Sequence, residues 1–480
     1  MFSQLGKKHL LFIGATAFLG FLMITPALFM QSASGVSPNF SVGSVVKVSP
    51  NPSPFSPTCH GGAAGGTFYY NSKVEPQVAV NPTNPENIIG VYQQDRWSNG
   101  GSDGDVAAYT MNGGLNWTVD WPTFTHCEGG NAGNNGDFER ASDPWVSFSP
   151  NGTAYFSALT FNMSYNSASG VEVSRSTDGG KTWSKPAQLI LETVLSDKDS
   201  VTADPTNPNY AYVVWDLDGT GAQIYFSRTT DGGKTWSPGK EIYPGATINN
   251  IVVVLPSGKL LDTFTDDNTG DLAFITSTNH GTTWSSTEHV VADQEDRGVY
   301  DPRTGALVRT GAGLASVTVD QKTGYIYATW QDARFSGGET EAIAFSMSTD
   351  GGKTWSTPIQ VNKSPSGVQA FTPVVQVDAK SVVAVSYYDF RNYKSGDKTT
   401  PTNLWIVECT SACTKSSSWK EKGVSSTFNI EIAPNTDSGC CFLGDYSSMG
   451  NTGSGFQPFW VQTINNLKIR TDVFSASVTG

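Results

Sequence analysis

The stretch "STDGGKTW" at 176–183 returns as "TTDGGKTW" at 229–236, "STNHGTTW" at 277–284 and "STDGGKTW" at 348–355, with a looser copy, "TMNGGLNW", at 110–117. Its Trp therefore stands at positions 117, 183, 236, 284 and 355. Self-similarity at a spacing of roughly fifty to seventy residues indicates an architecture of stacked units rather than one local motif.

Working outward from the second copy, residues 199–243 read "DSVTAD", "YAYVVWD", "QIYFSRT" and "KEIY", separated by "PTNPN", "LDGTGA" and the repeated turn. Alternating Val, Tyr, Ile and Phe predict strands, and Asn-Pro, Asp-Gly and Gly-Gly predict turns. Four meandering antiparallel strands per unit describe a propeller blade. Further units begin near Glu75, Asp143, Asn249, Leu314 and Thr372, and three more strands follow Asp445. The lone strand at 42–49 is expected to complete the last blade and remove its open edge. The reading is an all-β protein, a seven-bladed β-propeller closed by an N-terminal strand, with six blades as the alternative.

The pattern Ser-x-Asp-x-Gly-x-Thr-Trp resembles the Asp box of the sialidase-like, or bacterial neuraminidase repeat, proteins. In each turn Asp178, Asp231 or Asp350 can accept hydrogen bonds from the turn's own amides, while the Gly pair admits positive φ. Trp183, Trp236, Trp284 and Trp355 are expected to pack between sheets. These are fold-building roles, because equivalent copies on different blades cannot converge on one site. The box joins third strand to fourth, so chemistry is expected on the opposite face.

That face collects charge. The second strands end in "QQDRW" (93–97), "WDLD" (215–218), "TDDN" (265–268), "WQDAR" (330–334) and "YYDFR" (387–391). Glu75, Asp143, Asp199 and Asp445 fall at the starts of first strands, nearest the axis. Asp332 and Asp389 with Arg96, Arg334 and Arg391 mark the rim, and Glu139, Arg140 and Arg297 lie in connections. Two readings compete: rim ion pairs that stitch blade to blade, or a site where arginines grip a carboxylate and paired carboxyls act as acid and nucleophile or base. A ring of Asp also leaves structural calcium open, although no cofactor is required.

The resemblance implies a glycosidase of exo-sialidase type, in which three arginines bind the substrate carboxylate, a Tyr paired with Glu is the nucleophile and an Asp is the acid/base. Arg96, Arg334 and Arg391 match by rim position, and Tyr446 with Glu139 or Glu75 by chemistry. The chain lacks the Phe/Tyr-Arg-Ile-Pro segment of sialidases. The alternatives are a non-catalytic surface propeller that binds glycans or proteins, and a polysaccharide lyase with Tyr or His as base.

Bulk properties agree with an exported chain. Of 480 residues, 50 are Gly, 25 Pro, 11% aromatic and 15% charged, and the net charge of −13 excludes a general nucleic-acid binder. Lys7 and Lys8 precede an apolar run from Leu10 to Met30, so residues 1–34 read as a signal peptide or an N-terminal membrane anchor, and 35–480 as one propeller domain. The working protein is expected to be extracellular or on the cell surface, a monomer whose partner is a glycan or polysaccharide. Six cysteines suit an oxidising compartment. Cys409 and Cys413 are expected to pair, while Cys440 and Cys441 either form a vicinal ring or reach Cys59 and Cys127.

Overall fold

The computed structural model describes residues 40–59, 65–163, 167–218 and 221–480, and the export segment read in 1–34 lies outside them. The described residues are all-β, with four 3₁₀ turns of three residues each. The template unit forms from strands Ser196–Ala203, Ala211–Leu217, Gln223–Thr229 and Lys240–Tyr243, paired antiparallel in that order. Its second strand is buried from Ala211 to Asp216, which is why Val, Tyr and Trp occur there on both faces.

The same meander runs from Thr247–Val254 to His289–Ala292, from Ser316–Val319 to Ile359–Gln360, and from Ala370–Val377 to Lys420–Gly423. Two more, beginning with Phe68–Val80 and Arg140–Phe148, are joined into one sheet by the Ser102–Ala141 pair. The last sheet contains Ser448–Asn451, Gly455–Thr463 and Thr471–Ser475, and Val46–Lys47 from the other end of the chain pairs with its outer strand, Val46 opposite Ser475. The first strands of successive meanders lie side by side, and Ser448–Asn451 touches both Ala370–Val377 and Phe68–Val80.

The repeated turns close on themselves. Asp231 Oδ1 accepts from the Lys234 and Thr235 amides at 3.0 Å each, and Oδ2 from the Thr235 hydroxyl at 2.7 Å. Asp178 and Asp350 repeat the pattern, with threonine hydroxyls at 2.6 Å. The second Gly of each box has a further reason to be Gly. At Gly233 φ is +78°, and a Cβ would stand 2.5 Å from the Tyr155 ring of the preceding meander. The box Trp side chains are half-buried rather than enclosed, Trp236 meeting Tyr155 edge-on at 5.8 Å.

All six cysteines are paired, as Cys59–Cys127, Cys409–Cys413 and the vicinal Cys440–Cys441. Both sequence alternatives for the last four are thereby decided for the vicinal ring, with Cys59 and Cys127 bonded to each other.

One irregularity recurs in five first strands. The register breaks between Val74 and Gln77, Ser142 and Trp145, Asp197 and Ser200, Ile248 and Ile251, and Phe371 and Val374. At each break a non-Gly residue is left-handed: Glu75, Asp143, Lys198, Asn249 and Thr372, with φ between 49° and 67°. A left-handed L-residue costs roughly 1–2 kcal/mol, so its recurrence marks a β-bulge that re-aims side chains at the same level of each strand.

Candidate functional site

Three of the five bulges, at Glu75, Asp143 and Lys198, converge on one cluster. Lys198 Nζ lies 2.7 Å from Asp445 Oδ2, 3.4 Å from Asp143 Oδ2 and 4.0 Å from Glu75 Oε1. Arg309 closes on Asp445 with two nitrogens, Nε being 2.8 Å from Oδ1. Gln93 donates to Glu75 and, at 2.9 Å, to the Ser142 hydroxyl, which donates to Asp143 Oδ1 at 2.7 Å. Arg96 Nη1 donates to Gln93 Oε1 at 2.7 Å, while its buried Nε has no acceptor among the described residues.

Above this cluster opens a pocket of about 540 Å³. Glu75, Asp143, Asp197 and Lys198 lie in its charged wall with Arg96 and Arg309, and Leu159, Phe161, Met163 and Leu195 supply an apolar wall. Its rim includes described residues that follow the second strands, at 99–101, 162–163 and 167–168, on the side away from the Asp boxes, as the strand order requires.

The electrostatics separate the carboxyls. Burial, reinforced by Asp143 and Asp445, pushes Glu75 up to about 8 against the opposing pull of Lys198 and Arg96. Burial also pushes Asp445 up, but Lys198 and Arg309 outweigh it and hold that carboxyl below the usual range. Asp197 is pushed up to about 6, by burial first and then by Asp143 and Asp445 against the pull of Lys198. Burial pulls Lys198 down, but the acids around it, Asp143 and Asp445 first and then Glu75 and Asp197, outweigh it and raise it. Near neutrality the floor therefore combines a neutral Glu75 with an ionised Asp445, a division of labour that acid–base chemistry uses.

The segment Gly439–Tyr446 shapes this floor. Cys440 accepts from the Arg309 amide at 3.0 Å, and the Phe442 ring lies under two guanidinium groups, 4.6 Å from Arg309 and 4.9 Å from Arg96. Leu443 accepts from the Glu75 amide at 3.2 Å. Tyr446 packs on Trp145 at 5.3 Å and its hydroxyl donates to the Pro144 carbonyl at 3.4 Å. Burial, with Glu75 and three Asp carboxyls nearby, pushes that phenol well above its ordinary value, so the hydroxyl is not poised to ionise.

The sequence-predicted residues divide. Asp143, Asp445 and Arg96 come together with Glu75. Asp199 does not join them, because the bulge at 198 turns Lys198 to the cluster and leaves Asp199 buried behind it; a one-residue shift in a strand exchanges faces. Arg334 and Arg391 stay outside the pocket. Arg334 is held by Asp332, with Nε 2.8 Å from Oδ1, and Trp330 also bonds that carboxylate. Arg391 is held by Asp389 at 2.5 Å and by Glu421, and stacks on Trp405 at 3.7 Å. Arg140 lies over Trp97 at 4.4 Å and donates to the Gly100 carbonyl at 2.7 Å. Glu139 accepts from the Met163 amide at 2.6 Å, and the Arg297 amide donates to Glu341 at 2.5 Å; neither Glu139 nor Arg297 lines the pocket. The expected meeting of Arg96, Arg334 and Arg391 in one pocket is therefore replaced by Arg96 with Arg309. Sequence reasoning missed Lys198, Arg309 and Phe442. Only the Asp-Lys-Asp triplet at 197–199 carried a signal, an invariably charged residue at an axial position. Among the described residues, no group of three or more His, Cys, Asp or Glu could hold a metal ion.

A family model for the BNR/Asp-box repeat matches residues 174–185. The recurring turn is an Asp box. No curated protein matches the chain. Among solved structures, the Hadza microbial sialidase Hz136 is similar at 17% identity and TM-score 0.45, over 66% of this chain, which spans 63% of that protein's length. The alpha-L-arabinofuranosidase of Fusarium graminearum is similar at 12% identity and TM-score 0.45, over 91% of this chain and 98% of that one. The alpha-L-arabinanase of Penicillium chrysogenum is similar at 10% identity and TM-score 0.42, over 92% and 98%.

Proposed function

We propose that the chain is an exported Asp-box propeller of seven blades whose axial pocket acts on a glycan as a sialidase-like glycosidase. The observation that carries this reading is the convergence on Lys198 of Glu75 and Asp143, from two separate strands that line the pocket, and of Asp445, from the loop before Ser448–Asn451. Glu75 is the proton donor to the leaving oxygen, and Asp143, on the same floor, is the partner carboxylate that attacks directly or activates water. Arg96, with its free Nε, takes an anionic or hydroxyl group of the sugar. Three disulfides fit work outside the cytoplasm.

A seven-bladed ring is supported by the circular order of first-strand contacts and by the first Asp box. Gly114 of that box lies against Gln457, and Trp117 meets Phe459 at 5.7 Å, so the first blade packs on the last as Gly233 packs on Tyr155. Deleting residues 42–49 is expected to expose the last sheet and cause aggregation; a soluble, equally stable truncation would refute closure by that segment.

A non-catalytic glycan-binding propeller is the second reading, favoured by one observation: Asp445 is already saturated by Lys198 and Arg309. A panel of fluorogenic glycosides and polysaccharides, assayed with the wild type and Glu75→Gln, separates the two. Turnover lost in a stably folded Glu75→Gln supports the enzyme. Glycan binding without turnover, unchanged in Glu75→Gln but lost in Arg96→Leu, supports the binding module.

A further inference from the structure

Away from the pocket lining, six of the enclosed carboxyl side chains combine the lack of a paired cation with few hydrogen-bond donors. Asp105, Glu128, Glu172, Asp199, Asp216 and Asp262 are each at most 4% exposed, and among the described residues none forms an ion pair. Some other buried acids are paired with a cation. Asp472, for example, receives Lys73 Nζ at 3.0 Å.

Asp262 is the barest. Among the described residues neither oxygen has a hydrogen-bond partner, its cross-strand neighbours are Val252 and Ile275, and a titratable group facing it is another acid, Asp216. Asp216 accepts from the Thr247 hydroxyl at 2.8 Å and the Asn250 amide, and also faces Asp197. Glu172 has one distant donor, the Gln188 amide at 3.4 Å; it faces Glu128 and Lys185, whose ammonium is turned to the Gly133 carbonyl. Asp105 has the Ser102 hydroxyl at 3.4 Å and faces the acids Glu128, Asp143, Asp199 and Glu75. Glu128 accepts the Asp105 and Thr125 amides, and Asp199 lies by the Ser157 hydroxyl, facing Asp143 and Asp197. A carboxylate enclosed this way, with no cation and few donors, is far costlier than its protonated form.

We infer that the folded protein holds these six side chains as neutral acids and is therefore built to work in acidic surroundings. Burial pushes all six well above the ordinary carboxyl range. In the unfolded chain the same groups ionise near pH 4, so between there and neutrality the folded state binds more protons than the unfolded state. The sign follows: their stabilisation is complete below about pH 4 and is lost as pH rises toward neutrality. The Asp-box carboxylates set the acid limit. Hydrogen bonds from Thr235 and from Thr354 hold Asp231 and Asp350 down to about 2, so their contribution is present above about pH 4 and lost below it.

The direct test is the proton balance of unfolding. A guanidinium jump of the purified protein in weakly buffered solution at pH 6.5 is expected to release several protons, about one for each neutral acid. Asp262→Asn is expected to lower the release by about one, with Glu172→Gln as the substitute variant if Asp262→Asn does not fold. The melting temperature is expected to be higher at pH 4.5 than at pH 7.5. Net proton uptake, a release that neither variant changes, or a melting temperature that rises from pH 4.5 to 7.5 would each overturn the inference.

Discussion

The Asp-box turns and the axial pocket both gather carboxylates, and the fold treats them in opposite ways. In the boxes each Asp is near solvent and saturated by donors within four residues, which drives Asp231 down to about 2. In the pocket Glu75 is enclosed, faces Asp143 and Asp445, and is driven up to about 8 although Lys198 is near. The first arrangement is local and repeated, so it can only build the scaffold. The second is assembled once, from residues up to 370 positions apart, and its tension between desolvation and shared charge is what chemistry requires.

The comparison can be broken most severely at Lys198. Lys198→Met removes the one ammonium shared by three buried acids and is expected to cost roughly 3–5 kcal/mol at pH 7. Part of that loss should return as pH falls, because Asp445 without the ammonium protonates more readily than in the wild type; a denaturation series across pH checks both. A loss of less than 1 kcal/mol, flat with pH, would show that the cluster is solvated and not coupled. Trp236→Ala is expected to cost about 2 kcal/mol, below the usual range for a core aromatic because the ring is half-buried, with pocket binding unchanged. Asp231→Ala removes four local hydrogen bonds near the surface and is expected to cost about 1 kcal/mol. A box substitution that abolished ligand binding at unchanged stability would erase the distinction between the two faces.

What could be read from the sequence follows the same division. The box is legible because its Asp, Gly pair, Thr and Trp interact within one turn. The strand order then fixed which end of the sheets carries the pocket, and Glu75, Asp143 and Asp445 were found from their places at strand starts. Lys198 was not, because a bulge shifts which residue of Asp197-Lys198-Asp199 reaches the axis, and alternation alone predicts the wrong one. Arg334 and Arg391 were matched to ligand-binding residues by rim position, yet each follows an Asp by two positions, and that spacing lets the Asp clamp its own Arg. Arg309 and Phe442 lie in connections outside the four-strand pattern, and only tertiary packing brings them beside Arg96.

The central claim is that burial keeps Glu75 protonated at the floor of the pocket while the box carboxylates stay ionised. Infrared difference spectra of the wild type minus Glu75→Gln at pH 6.5, after deuterium exchange, read this directly. The account predicts loss of one protonated-carboxyl band in the variant, and conversion of that band to carboxylate in the wild type as pH passes about 8. Loss of an ionised-carboxylate band at pH 6.5 would contradict it.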